Sequence, residues 1–321
     1  MNRSPASGRT PITTREVTMN KPTIGAIGLG VMGGPMARRL ATAYDVVAFD
    51  PDDTRLRILV AETTAAPVHS VTEAGERSDV VILSLPTTAV VEAVILRDGT
   101  SGLASVMRPG TTIIDMSTTE PDTTRRLAEE LAKREIALID APVSGGQKGA
   151  EEGTLSIMCG GDAALVETVR PILETVGSSV VRVGPVGSGG VAKLVNNMIV
   201  GAAFTSITEG LAMCAVAGID PRDLHAAIRG GWAGSPVLDV TIDAVAAGDF
   251  RPGGTVNLLS KDLGYARNLA RRSHIPIPVT AAVDEVFTAA IARGDGEKAQ
   301  PVIVQMWEEL LGVQISGGDV R

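Results

Sequence analysis

The sequence predicts a doubly wound α/β domain built on a parallel sheet, followed by an all-α domain joined to it by a long helix. Three observations carry this. Through about residue 183, short apolar runs alternate with amphipathic runs, the strand–helix rhythm of an α/β domain. Several of those runs, such as Val-Val-Ile-Leu from Val80 and Thr-Ile-Ile-Asp from Thr112, are continuously apolar rather than alternating, as strands buried on both sheet faces are. After Gly-Pro-Val-Gly-Ser-Gly-Gly, from Gly184 to Gly190, nothing reads clearly as a strand. The boundary is therefore placed near Gly187, giving domains over 21–186 and 187–321, with the Ser/Thr/Pro-rich residues 1–20 expected to be a disordered tail.

In chain order, strands are expected at Thr23–Gly28, Asp45–Phe49, Val80–Leu85, Thr112–Asp115, Ala137–Asp140, Thr154–Cys159 and Val180–Val183. Helical patterns between them fall at Arg38–Ala43, Thr88–Leu96, Pro121–Arg134 and Ala163–Val176. A long apolar helix then spans about Val191 to Ala217, and Gly218 supplies its stop. Pro221–Arg229, Val237–Ala247, Val256–Arg272, Val279–Arg293 and Pro301–Leu311 complete the helical domain.

Composition prunes the functions. With 29 Lys+Arg against 37 Asp+Glu the 321-residue chain has a net charge of −8, unsuited to sequence-independent nucleic-acid binding, and eight aromatic residues are too few for base-stacking platforms. Two isolated cysteines, Cys159 and Cys214, form no metal or disulfide framework and read as buried thiols in a reducing compartment, so a cytoplasmic location is expected. The three histidines, His69, His225 and His274, share no motif, no metal site is expected, and each reads as structural. No segment reads as a membrane span, because the most apolar stretch, Leu194–Ile219, contains Asn196, Asn197 and Glu209.

The strand Thr23–Gly28 runs into Gly28-Leu29-Gly30-Val31-Met32-Gly33 and then a helix through Leu40. This is the G-x-G-x-x-G dinucleotide fingerprint in its Rossmann context: Gly28 for the tight turn, Gly30 for close approach to a pyrophosphate, Gly33 for helix–sheet packing. The next strand ends in Asp50, about 20 residues on, where a carboxylate accepts hydrogen bonds from ribose hydroxyls and repels the 2′-phosphate of NADP. Asp52 and Asp53 add to that repulsion and the nearest base is Arg55, so NAD is favoured over NADP.

A second glycine-rich stretch, Ser144-Gly145-Gly146, follows the strand Ala137–Asp140 and offers a hydroxyl and free N–H groups that can hold a carboxylate, although an ordinary turn has the same composition. At the start of the long helix, Lys193 and Asn197 share one face among apolar neighbours. A lysine there either snorkels to water or is buried with a lowered pKa, as a general acid/base near neutrality requires, and the adjacent glycines and Asn197 favour the second reading.

These blocks together resemble the β-hydroxyacid dehydrogenases, a family that includes 3-hydroxyisobutyrate dehydrogenase and tartronate semialdehyde reductase. The matching blocks run from Gly28 to Leu40, Asp140 to Leu155, Gly187 to Asn197 and Lys261 to Leu263, with shorter matches at Leu85 and Asp115. The resemblance implies that Gly28, Leu29, Gly30, Val31 and Met32 lie along the cofactor, that Leu85 and Pro86 flank it, and that Thr118 sits by the nicotinamide. It further implies that Ser144, Gly145 and Gly146 hold the substrate carboxylate, Lys193 is the acid/base, Asn197 orients the substrate and Lys261 closes the site. The expected reaction is hydride transfer between NAD and a small β-hydroxy acid, by a homodimer or homotetramer with no nucleic-acid or membrane partner. Imine reductases of the same architecture generally lack the lysine, as would a non-catalytic dinucleotide-binding protein, so Lys193 argues against both alternatives. Two segments depart from the family pattern, Arg251-Pro252-Gly253-Gly254 and Gly294-Asp295-Gly296-Glu297. Both belong to the domain that shapes the substrate pocket and so bear on substrate identity.

Overall fold

The computed structural model describes residues 21–97 and 101–317; the tail expected over 1–20 lies outside the described residues. The first lobe runs β1 (Ile24–Ile27), α1 (Gly33–Leu40), β2 (Val46–Phe49), α2 (Asp53–Glu62), β3 (Ala66–Pro67), α3 (Val71–Glu76), β4 (Val80–Leu83), α4 (Thr88–Leu96), α5 (Leu103–Val106), β5 (Thr112–Asp115), α6 (Pro121–Ala132) and β6 (Ala137–Asp140). It continues through β7 (Val143–Ser144), α7 (Gly146–Glu152), β8 (Leu155–Gly160), α8 (Ala163–Leu173) and β9 (Gly177–Gly184). Six strands in the order β3-β2-β1-β4-β5-β6 are parallel. The continuously apolar β4 shows why: Val80 and Ile82 enter the core on one sheet face, Val81 and Leu83 the core on the other.

The sheet departs from the expected all-parallel order at its far end. Only α7 separates β7 from β8, and β8 returns antiparallel to β7 and β6, with β9 parallel to β8. The helices α2, α3, α5 and α7 and the two-residue strands β3 and β7 were not expected; the first helix spans Gly33–Leu40, as expected after the glycine fingerprint, and does not run on to Ala43.

The second lobe consists of α9 (Ser188–Ala217), α10 (Pro221–Ile228), α11 (Pro236–Ala247), α12 (Val256–Arg272), α13 (Pro278–Ala292) and, after a 3₁₀ turn at Gln300–Ile303, α14 (Val304–Leu311). By length and composition the 30-residue α9 could cross a membrane. In this fold it is the axis against which α11, α12, α13 and α14 pack.

Helix α9 begins three residues before the expected Val191, and the reason lies in the sheet. Both oxygens of buried Asp140, at the end of β6, accept N–H groups of the helix start: Gly187 at 2.7 Å and Gly190 at 2.8 Å. A carboxylate at a helix N-terminus satisfies orphan donors and complements the dipole. A side chain at Gly189 would collide with the carbonyl oxygens of Met158 and Asp140. The glycines of this segment therefore seat the long helix directly on β6 and β8.

Candidate active site

At the nucleotide end, Gly28 has φ +92°, and a side chain there would strike the Ser84 carbonyl. A side chain at Gly33 would strike the Gly28 carbonyl, so α1 packs on the turn as closely as the fingerprint requires. At Gly30 the added carbon would meet nothing nearer than the Arg55 Nη1 at 3.9 Å, leaving the turn open to a ligand. Leu29 is buried and Val31 exposed, with Met32 between those extremes. Asp50 is buried; its Oδ2 accepts the Leu29 N–H at 2.7 Å and its Oδ1 the Asp52 N–H at 2.8 Å. The open face over Gly30 at a helix N-terminus fits a pyrophosphate, and each Asp50 oxygen keeps a lone pair for a ribose hydroxyl.

The lobes meet through one face of α12. The Lys261 ammonium donates to the carbonyls of Pro86 at 2.8 Å and Thr118 at 3.4 Å, and lies 5.2 Å from the centre of the Tyr265 ring. The Tyr265 hydroxyl accepts the Thr88 N–H at 3.2 Å, Asn268 donates to Glu120 at 3.1 Å and Arg272 to Asp122 at 3.0 Å. Positions 261, 265, 268 and 272 repeat at helical spacing, so a single stripe of α12 grips the loops after β4 and β5. Those loops are themselves tied together, the Leu85 N–H donating to Ser117 Oγ at 2.9 Å. Pro86, Thr118 and Lys261 are thus brought into one cluster.

Lys193 is mostly buried, and among the described residues no carboxylate lies within ion-pair distance of it. Burial pushes its pKa down from the ordinary lysine value; the charge of Asp262 opposes this and that of Lys261 reinforces it. Buried Asn197 donates to Asp262 Oδ2 at 2.5 Å and accepts from Asn196 at 2.9 Å. The other Asp262 oxygen is buried 3.2 Å from the Lys261 ammonium without hydrogen-bond alignment. Burial raises the Asp262 pKa, against the pull of Lys261 and Lys193. Ser144 ends β7, and Gly145 and Gly146 follow at φ +133° and +64°. No hydrogen bond joins this turn to Lys193 among the described residues. What they share is β8, which pairs with Ser144 and underlies the first turn of α9.

Sequence reasoning missed four contributors. Asp262 and Tyr265 stood beside Lys261, and the polar stripe of α12 is the signal that could have found them. Asp140 and the folding back of Arg55 are tertiary facts with no local signal. His225, read as structural, pairs with Asp239 at 2.6 Å across α10 and α11. Trp232 is fully exposed on the loop between those helices.

Beneath the site, Asp115 and Asp140 are register partners on β5 and β6, both buried. Burial, with Asp140 adding to it, pushes the Asp115 carboxyl up to about 6 despite hydrogen bonds from Ser117 and Thr119. Because the folded value lies above the ordinary 3.8, the stability this group contributes is complete below 3.8 and is lost as pH rises through about 6. The loss amounts to about 3 kcal/mol at high pH. Asp115→Asn is expected to remove it, so denaturant melts should show the variant gaining on wild type between pH 4.5 and pH 7.5. Identical pH dependence in both proteins would contradict this.

Residues 23–184 match the family described as the NAD binding domain of 6-phosphogluconate dehydrogenase. Residues 187–307 match the family described as NAD-binding of NADP-dependent 3-hydroxyisobutyrate dehydrogenase. The chain is 35% identical over 297 residues to 2-(hydroxymethyl)glutarate dehydrogenase of Eubacterium barkeri, covering 92% of this chain and 98% of that one. It is 36% identical over 288 residues to 2-hydroxy-3-oxopropionate reductase of Escherichia coli, covering 89% and 97%. The solved structure of Mycobacterium tuberculosis 3-hydroxyisobutyrate dehydrogenase with L-serine superposes with a TM-score of 0.80 at 30% identity, covering 89% of this chain and 98% of that one.

Proposed function

Because the chain belongs to the β-hydroxyacid dehydrogenase family, we propose that it moves a hydride between NAD and the hydroxyl-bearing carbon of a small β-hydroxy acid, with Lys193 as general acid/base. The observation that carries the assignment is the mostly buried Lys193, its pKa lowered by desolvation, one helical turn from the Asn197–Asp262 pair.

NAD, when bound, supplies or accepts the hydride. In the oxidative direction neutral Lys193 takes the proton of the substrate hydroxyl; in the reductive direction its ammonium returns one to the forming alkoxide. Burial favours the neutral form of Lys193, the direction a general base needs, and the charge of Asp262 opposes it. Asn197, braced by Asp262, orients the substrate, and the Ser144-Gly145-Gly146 turn takes its carboxylate. Gly28, Leu29, Gly30, Val31, Met32 and Gly33 follow the cofactor, Asp50 meets its ribose, and Leu85, Pro86, Thr118 and Lys261 close over its other end.

In this reading residues 21–186 bind the dinucleotide and 187–321 form the substrate and dimerisation domain. Self-association is supported by the exposed Val195, Ile199, Met213 and Val216, which line one side of α9. Light scattering should return a multiple of the 33.1 kDa chain mass, reduced towards one chain by Met213→Glu. The buried free thiols Cys159 and Cys214 suit a cytoplasmic enzyme, and the −8 charge suits a small-molecule rather than a nucleic-acid partner.

The relatives' substrates define the test. Reduction of NAD⁺ is measured with 3-hydroxyisobutyrate, 2-(hydroxymethyl)glutarate and L-serine, with lactate as an α-hydroxy control. Turnover of at least one β-hydroxy acid and not of lactate is expected; equal turnover of lactate would contradict the proposal. A clear preference for NADP⁺ would refute the role of Asp50.

A further inference from the structure

The side chain that follows β2 is already engaged. Both Asp50 oxygens hold backbone N–H groups, of Leu29 and of Asp52, and the carboxyl group is almost wholly buried. What faces the open space over Gly30 is Arg55, whose Nη1 is the nearest atom to that space. The Arg55 side chain folds back over the glycine turn, with Nη1 3.7 Å from Asp50 Oδ2 and Nε 3.4 Å from Asp52 Oδ2. Half of it is exposed, as is about half of Asp52, whereas Asp50 is not.

We propose that Asp52, through its hold on Arg55, sets the preference for NAD over NADP. This deepens the NAD reading above and rests on it. A guanidinium fork is the group best matched to a phosphate, and one stands at the adenosine side of this site. Two carboxylates share that single cation, so the surroundings present a net negative charge where a 2′-phosphate would bring nearly two more. Asp50 is fixed by the backbone and cannot turn away. Asp52 is the adjustable member: it sits at the N-cap of α2, accepting the Thr54 N–H at 2.9 Å, and uses its remaining capacity on Arg55. With Asp52 neutral, the Arg55 fork is free to turn to a 2′-phosphate, and the nearest exposed negative charge is gone.

Asp52→Asn isolates the charge, because asparagine caps a helix as well as aspartate does. The experiment is calorimetric titration of NAD⁺ and NADP⁺ into full-length wild type, Asp52→Asn, Arg55→Gln and the double variant. Asp52→Asn should tighten NADP⁺ binding about tenfold, the scale of one close charge contact at a protein surface, with NAD⁺ affinity within about threefold of wild type. The double variant should lose that gain. An NADP⁺ affinity unchanged by Asp52→Asn, or a gain that survives Arg55→Gln, would overturn the inference while leaving the NAD reading intact. A wild-type protein that binds NADP⁺ more tightly than NAD⁺ would overturn the NAD reading itself.

Discussion

Lys193→Ala is expected to lower turnover by about a thousandfold or more while leaving NADH affinity within about threefold of wild type. The size follows from the absence of a substitute. The ammonium of Lys261 is occupied by the Pro86 and Thr118 carbonyls, and Asn197 carries no proton it can give up near neutrality. The small effect on NADH follows from position, since Lys193 lies on α9 of the second lobe and the glycine turn of the first lobe is built without it. Lys193→Arg separates charge from proton transfer: arginine keeps the cation but does not deprotonate, so oxidation should fall nearly as far. Stopped-flow turnover with fluorescence titration of NADH checks both variants, and a Lys193→Ala protein with wild-type turnover would end the assignment.

Gly189→Ala is expected to destabilise the protein by about 3 kcal/mol or more, an overpacking cost paid where no flexible side chain can yield. The methyl would meet the backbone carbonyls of Met158 and Asp140, where α9 rests on β8 and β6. Gly190→Ala is the control. Its methyl would come no closer than 3.4 Å, to Pro121 Cγ, and it gains up to about 1 kcal/mol of helix propensity. Denaturant melts should separate the two strongly. Equal effects would mean that the glycines serve a ligand or a turn rather than the seating of the helix.

The nucleotide half of the site was legible because its requirements are local. Gly28 turns at positive φ, Gly33 packs on the Gly28 carbonyl five residues back and Gly30 leaves the turn open, and Asp50 follows just past the next strand. The strands with continuous apolar runs were legible for the same reason. Helix α2 was not, since Leu59 is its only buried residue and leaves no apolar stripe to read. Strand β3 is two residues long and ends in proline, below any periodic signal. The start of α9 was misplaced because glycine is a poor helix former, and only contact with Met158 and Asp140 explains why glycine is needed there. Lys193 was legible as an anomaly, a lysine among apolar neighbours; its electrostatic partner Asp262, 69 positions away in the sequence, was not. Arg55 was read only as the nearest base, five positions beyond Asp50, because nothing local shows that it folds back over Gly30.

The most direct test is the pH dependence of kcat/KM for substrate oxidation by the wild-type enzyme. A buried lysine acting as base predicts a rate that rises with pH through a single ionisation below the ordinary lysine value of 10.5, mirrored by a falling limb in the reductive direction. A profile flat across that range in both directions, or a rising limb that persists in Lys193→Ala, would assign the proton to another group.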